Sequence, residues 1–304
     1  MSLTGLFVPL VTPFTPSDEV ASDAVEALAH AVLDDGAAGI VALGTTGEPA
    51  TLTAAERRRV VDICAGVCVE RGAQLIVGAG SNSTAASADV LADLDPRATA
   101  ALSVVPYYTR PSEDGVVEHF RRLAAASPVP LIVYNVPYRT GTSLGAEALG
   151  RLAGIPNVAG FKHSVGGIDD TTVAFMSAVP ADFAVLGGDD LYVAPLLALG
   201  ASGAIMASAN VATRAYADLV ASWRDGSTDD ARRLNNRLLA LSRALFAEPN
   251  PAVIKAVLSA HGRIPSPHVR LPLLPASPSA TATALEAVES ISFREAATAP
   301  SSLA

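Results

Sequence analysis

The chain has 304 residues, half of them apolar and 17% charged, with a formal net charge of −9. A chain of this size can bury a large core, and the acidic balance excludes the basic footprint expected of a nucleic-acid-binding protein. The length suits one barrel of eight strand–helix units, which needs about 250 residues, better than two small domains.

Met1–Thr12 has no positively charged n-region and runs straight into a strand-like segment, so the expectation is a cytoplasmic protein without a secretory signal. Short apolar runs then alternate with longer amphipathic stretches. Strands are predicted at Gly5–Val11, Gly39–Leu43, Gln74–Val77, Ala101–Val105, Pro130–Tyr134, Val158–Lys162, Ala184–Leu186 and Ala204–Met206. Helices are predicted between them at Ser22–Asp35, Thr53–Arg71, Thr84–Leu94, Ser112–Ala126, Ala146–Leu152, Ile168–Val179, Leu191–Leu199 and Val211–Asp225. Ser22 and Thr53 each place a capping hydroxyl before a periodic run, and Thr53 with Glu56 completes a capping box. The strands are near-continuous apolar runs with little alternation, as expected where both faces of a parallel sheet are buried.

Cys64 and Cys68 lie four apart in a helical pattern and share one face. With no clustered histidine they read as buried free thiols rather than metal ligands. Leu191–Thr213 contains no charged residue and is long enough to span a bilayer. Pro195, Gly200, Ser202, Gly203, Ser208 and Asn210 argue against a span, and the stretch reads as a buried helix followed by a buried strand.

Eight alternations of strand and helix predict an α/β protein with a closed (β/α)8 barrel over residues 1–226. A doubly wound open sheet is the rival, weakened because no G-x-G-x-x-G turn follows the first strand. After Asp225 the pattern is purely helical, with helices at Asp229–Phe246, Pro251–His261 and Ser279–Ile291. Residues 227–295 are therefore expected to form a helical layer on the barrel. The small, polar, Pro-containing tail 296–304 is expected to be disordered.

Barrel active sites form at the C-terminal ends of the strands. Lys162 ends the sixth predicted strand, and the chain has only one other lysine, Lys255, in a helical pattern. An amine at the barrel mouth is disfavoured as an ammonium by burial, and a neutral amine attacks ketones to give an iminium electron sink. Tyr134 ends the fifth strand, and neighbouring strands lie about 5 Å apart, so its phenol would stand beside Lys162 and could carry protons. Gly44-Thr45-Thr46-Gly47-Glu48 follows the second strand, where glycines let amides converge and threonines add hydroxyls, a nest suited to a small carboxylate. Pro106-Tyr107-Tyr108-Thr109-Arg110-Pro111 follows the fourth strand as a stiff loop. Arg139, past the fifth strand, could clamp a second carboxylate in bidentate fashion.

From Gly5 to Leu274 the chain resembles the family of dihydrodipicolinate synthase and N-acetylneuraminate lyase. The resemblance is carried by Gly44–Glu48, Pro106–Pro111, Tyr134-Asn-Val-Pro-Tyr-Arg-Thr-Gly141, Gly160-Phe-Lys162, Gly188-Asp-Asp190 and Glu248-Pro-Asn-Pro251, in order and each at its expected strand end. It implies a TIM-barrel lyase with Lys162 as the Schiff-base lysine and Tyr134 as the acid/base beside it. Thr45 and Tyr108 complete a proton relay, with Tyr108 supplied by the neighbouring subunit, which implies a homo-oligomer, a dimer or more usually a tetramer. Thr46 helps hold the pyruvate carboxylate, and Gly188 and Ile205 line the pyruvate pocket. No metal or organic cofactor, nucleic acid or membrane is implied.

Arg139 and Glu248–Pro251 resemble the synthase branch, which condenses pyruvate with L-aspartate 4-semialdehyde to 4-hydroxy-tetrahydrodipicolinate in lysine and diaminopimelate biosynthesis. A sibling aldolase or dehydratase acting on a 2-keto-3-deoxy sugar acid or other 2-oxo acid is the alternative. Its support is His163-Ser164, where synthases usually place an acidic residue and a small one. A catalytically silent binding protein on the same barrel is a minor third reading, because fold alone does not establish function. Where enterobacterial members carry histidines for lysine feedback, this chain has Ala54 and Arg57. Asn82 is present, but Ala86 replaces an expected acid. Millimolar lysine should therefore inhibit turnover little, and strong inhibition in a steady-state assay would contradict this.

Overall fold

A computed structural model describes residues 3–180 and 182–298. Eight strands, β1 Gly5–Pro9, β2 Gly39–Ala42, β3 Gln74–Gly78, β4 Ala100–Val104, β5 Leu131–Asn135, β6 Val158–His163, β7 Ala184–Gly187 and β8 Gly203–Ile205, pair in parallel and close into a barrel. Helices α1 Ser22–Asp34, α2 Ala54–Arg71, α3 Thr84–Ala92, α4 Glu113–Ala126, α5 Pro137–Thr140, α6 Ala146–Ala153, α7 Asp170–Ala178, α8 Val193–Ala198 and α9 Thr213–Arg224 fill the connections. Then follow α10 Thr228–Leu245, α11 Ala252–Ala260 and α12 Pro278–Thr298, which pack on one another, with α10 also against α9.

The sheet is apolar on both faces because it has two cores. Phe7, Val41, Ile76, Leu102, Ile132, Leu186 and Ile205 fill the barrel interior. Val8, Ile40, Leu75, Ala101, Leu131, Val133, Phe161 and Ala204 face the helices. This is the arrangement that removes the period-two alternation from parallel strands.

The predicted elements are found, with shifted ends. Thr53 and Ser112, which open predicted helices, lie just outside them as caps, Thr53 completing the capping box with Glu56, and Asp169, the second residue of the predicted Ile168–Val179, caps α7. Ser22 does not cap α1. Ala21 holds that position with no side-chain bond, and Ser22 is the first helical residue. The first strand ends at Pro9 rather than Val11, because the Val11 amide donates to Asn210 Oδ1 at 3.2 Å instead of to a neighbouring strand. Helix α3 stops at Ala92, ahead of Pro96, which cannot continue it. Leu191–Thr213 divides into α8, β8 and a 3₁₀ turn at Ala207–Asn210. No helix among the described residues is long and apolar enough to cross a membrane. Helix α12 continues through Thr298, so Ala296–Thr298 of the expected tail are helical, and 299–304 lie outside the described residues. Cys64 and Cys68 are buried free thiols, and burial pushes the former up to about 12 and the latter to about 11.

One buried ion pair ties the top of the barrel to the helical layer. Lys255 Nζ on α11 donates to Glu48 Oε1 at 2.7 Å, and both side chains are almost wholly inside, at 0% and 1% exposure. The Arg270 amide donates to Glu48 Oε2 at 3.1 Å. Phe14 meets two cations at its ring, with Lys255 Nζ 4.1 Å and Arg270 Cζ 4.3 Å from its centre. The Arg270 guanidinium also bonds Asp18 and Glu56, which holds the Glu56 carboxyl down to about 2. Burial lowers the Lys255 amine to about 8, against the pull of Glu48. Removing one partner strands the other as a buried charge, at a cost of about 3–5 kcal/mol. Lys255→Ala should therefore lower the urea midpoint by that equivalent. Replacing both members together, Lys255→Met with Glu48→Leu, should recover most of the loss. An unchanged midpoint in the single variant would show that the pair contributes nothing.

Candidate active site

The centre of the site is set by how β5 pairs with β6. Leu131 pairs with Val158, but the next residue, Ile132, pairs with Gly160, so Ala159 is an extra residue in β6. This bulge brings Tyr134 opposite Lys162 and Asn135 opposite His163. A one-residue change of register moves every side chain to the other face. The bulge is thus what puts the amine and the phenol side by side. Lys162 Nζ lies 4.2 Å from the centre of the Tyr134 ring, and the residues are only 5% and 7% exposed.

Gly188, just past β7, fits against the lysine. Its amide donates to the His163 carbonyl at 2.9 Å. A Cβ there would collide with Ser164 Oγ and lie 2.8 Å from Lys162 Cε. Only a glycine lets the lysine stem lie along this backbone. Ile205, at the end of β8, is fully buried in the same interior cluster as Tyr134. Ser164 presents a buried hydroxyl with no partner at this spot.

The C-terminal half of the Gly44–Glu48 segment closes on itself. Thr45–Gly47 is a 3₁₀ turn whose Gly47 and Glu48 amides bond the carbonyls of Gly44 and Thr45 at 2.9 and 3.2 Å. Two of the expected anion-binding amides are therefore committed within the turn, and Glu48 is committed to Lys255. The Thr45 and Thr46 amides are not among those bonded in the turn, and with them lies the Thr46 hydroxyl, 3% exposed, which accepts from Asn250 Nδ2 at 3.0 Å. Because that bond uses the oxygen as acceptor, the hydroxyl proton is free to be given to a carboxylate. Thr45 is half-buried next to it.

Tyr108 and Arg139 lie at the rim. Tyr108 is 88% exposed on a backbone with φ of 71°, so its own chain does not bring it into the buried centre. Arg110 Nε donates to the Gly141 carbonyl at 2.8 Å, pinning this loop to the end of α5. Arg139 on α5 is exposed, with Nε 3.1 Å from the hydroxyl of Tyr138 and Cζ 5.1 Å from its ring centre.

Three residues not singled out individually by the sequence complete the surroundings. Asp190 is buried and accepts the Ser208 amide at 2.7 Å, and burial raises its carboxyl. Asp189 accepts the Gly166 amide at 2.7 Å. Burial raises it too, against the opposing fields of Lys162 and Arg139. Asn250 was visible only as part of the Glu248–Pro251 motif. Its partner Thr46 is 204 positions away, a separation at which no local pattern signals contact.

The geometry is that of a dry primary amine beside a phenol, with hydroxyl donors at one side and a guanidinium at the rim. Such a set can capture a 2-oxo acid as an imine. The description of the dihydrodipicolinate synthetase family matches residues 2–291. The 4-hydroxy-tetrahydrodipicolinate synthase of Methanothrix thermoacetophila is 38% identical over 277 residues, covering 90% of this chain and 92% of that protein. The same-named protein of Hyphomonas neptunium is 41% identical over 285 residues, covering 92% and 95%. The solved synthase of Methylacidiphilum fumariolicum superposes with a TM-score of 0.92 at 30% identity, covering 97% of this chain and 98% of that one. A chloride-inhibited dihydrodipicolinate synthase from Acinetobacter baumannii, solved with pyruvate, gives a TM-score of 0.91 at 34% identity, covering 96% and 99%. By sequence across nearly its whole length and by fold, the chain belongs to the dihydrodipicolinate synthetase family.

Proposed function

We propose that the protein condenses pyruvate with L-aspartate 4-semialdehyde to 4-hydroxy-tetrahydrodipicolinate, as a Schiff-base lyase of lysine and diaminopimelate biosynthesis. The observation that supports this most directly is Lys162 Nζ, buried and 4.2 Å from the Tyr134 ring centre. Relatives 38–41% identical that carry the synthase name support the substrate assignment.

In this mechanism the Lys162 amine adds to the pyruvate ketone, and the carbinolamine loses water to give an iminium. Tyr134 supplies and accepts the protons of that exchange. Thr45 links it to Tyr108 of a neighbouring subunit, so the active form is a homo-oligomer, a dimer or tetramer. The exposure of Tyr108 on its own protomer fits such a role. The Thr46 hydroxyl, turned by Asn250, holds the pyruvate carboxylate. Gly188 and Ile205 shape the pocket around the methyl group. Loss of a methyl proton gives the enamine, which attacks the aldehyde carbon to form the new C–C bond. The amino group of the semialdehyde then displaces Lys162 and closes the ring, so one water is released overall. Arg139 at the rim receives the second substrate's carboxylate. The location is cytoplasmic.

Intact mass after pyruvate and borohydride should show one reduced adduct, absent in Lys162→Ala. Lys255 remains in that variant, so an adduct that survives would overturn the assignment. Arg139→Ala should reduce kcat/KM for the semialdehyde roughly ten- to a hundredfold, the loss of a hydrogen bond to a charged group worth about 1.5–3 kcal/mol. Pyruvate dependence should be little changed. If pyruvate alone were affected, the carboxylate role of Arg139 would be wrong.

A further inference from the structure

Side chains alternate across a strand. If Tyr134 and Lys162 point into the barrel, the next pair in the same register, Asn135 and His163, points out of it toward the helices. There a recess of about 120 Å³ opens, lined by Asn135, His163, Asp169, Thr172, Ser143 and Leu144 among others. It shares none of its lining with the groups assigned above to the reaction, and it has room for a group of a few heavy atoms rather than for a drug-sized ligand.

The polar groups in this recess are unusual for a barrel wall. Asn135 and His163 are 1% and 3% exposed, yet Asn135 Oδ1 and His163 Nδ1 have no hydrogen-bond partner. Buried polar atoms are normally paired. The tautomer of His163 follows from its neighbours. Thr172 donates its single hydroxyl proton to Asp169 Oδ1 at 2.7 Å. The 3.0 Å contact between His163 Nε2 and Thr172 Oγ1 must then be a donation from the ring. Burial lowers this imidazole to about 4, so the ring is neutral and Nδ1 is a bare lone pair. Asp169 also accepts the Thr172 amide at 2.8 Å, and these bonds hold its carboxyl below the usual range. No lysine or arginine lines the recess. It therefore offers one negative charge and two neutral acceptors, and no cationic donor. A carboxylate or phosphate would find nothing to neutralise it. A cation that carries N–H donors would satisfy all three groups.

We propose that this recess is a second small-molecule site that takes the ammonium group of a small primary amine, with N–H bonds to His163 Nδ1, Asn135 Oδ1 and the Asp169 carboxylate. It lies one residue's width behind Lys162 and Tyr134, on the same two strand ends. The site does not depend on which acceptor aldehyde the barrel uses.

The test uses the full-length protein with ¹⁵N-labelled histidine rings, titrated with methylammonium chloride and, in a parallel arm, with potassium chloride at equal ionic strength. Potassium has the same charge and about the size of the ammonium head group but no hydrogen to donate. The His163 signals are identified by their loss in His163→Gln. The expected result is a saturable shift of His163 Nδ1 with methylammonium and none with potassium. Ser143→Trp, at the exposed rim, should weaken this binding about tenfold or more while leaving both acceptors in place. The unaltered protein decides the question by itself. No saturable shift up to about 100 mM methylammonium, or an equal response to potassium, would overturn the proposal and leave the recess as a water or adventitious-cation site. So would a ring that carries its proton on Nδ1.

Discussion

The extra residue Ala159 in β6 is the constraint on which the site depends. Without it, Tyr134 would pair with Phe161 and Lys162 with Asn135, and the amine would lose the phenol. Parallel strands normally lack such shifts, and bulges of this kind re-aim side chains where function needs them. Here the bulge sets two rows at once. It aligns the amine and phenol, and it aligns His163 with Asn135 one residue further on. The chemistry at the barrel mouth and the polar recess behind it are two consequences of one local irregularity.

A second constraint comes from outside the barrel. The Thr45–Gly47 turn is held from below by Glu48, whose carboxylate is buried against Lys255 on α11. It is held from the side by Asn250, which bonds Thr46 from just before the same helix. The segment around α11 therefore holds this turn in place and bonds the Thr46 hydroxyl. A buried ion pair is a weak source of net stability, because desolvation offsets most of its attraction. Its effect here is on geometry: Glu48 sits at a left-handed φ of 53°, a conformation that must be held by its surroundings.

Much of this was legible in the residues themselves. Eight apolar runs of strand length, separated by amphipathic stretches, leave few alternatives to a closed parallel barrel. Reactive residues at the ends of those runs can be placed at the barrel mouth without coordinates. Lys162 stood out because the chain holds only two lysines and this one ends an apolar strand. Local capping was legible where chemistry and spacing coincide, as at Thr53 and Glu56, and misleading where they do not, as at Ser22. In Gly44–Glu48 the Gly47 and Glu48 amides bond within the turn. Composition cannot tell whether a glycine-rich turn spends its amides on itself.

The class of fold, the order of its elements and the strand-end positions of Lys162 and Tyr134 could be read from the chain alone, because periodicity and position along a strand are local properties. Tertiary structure decided the register that brings those two groups together. It also decided the pairing of Glu48 with Lys255 and of Thr46 with Asn250, and the burial of His163 beside an unpaired amide. Each of these joins strands through an inserted residue or bonds groups about two hundred positions apart. Such contacts follow only from closing the barrel and packing the last helices against it.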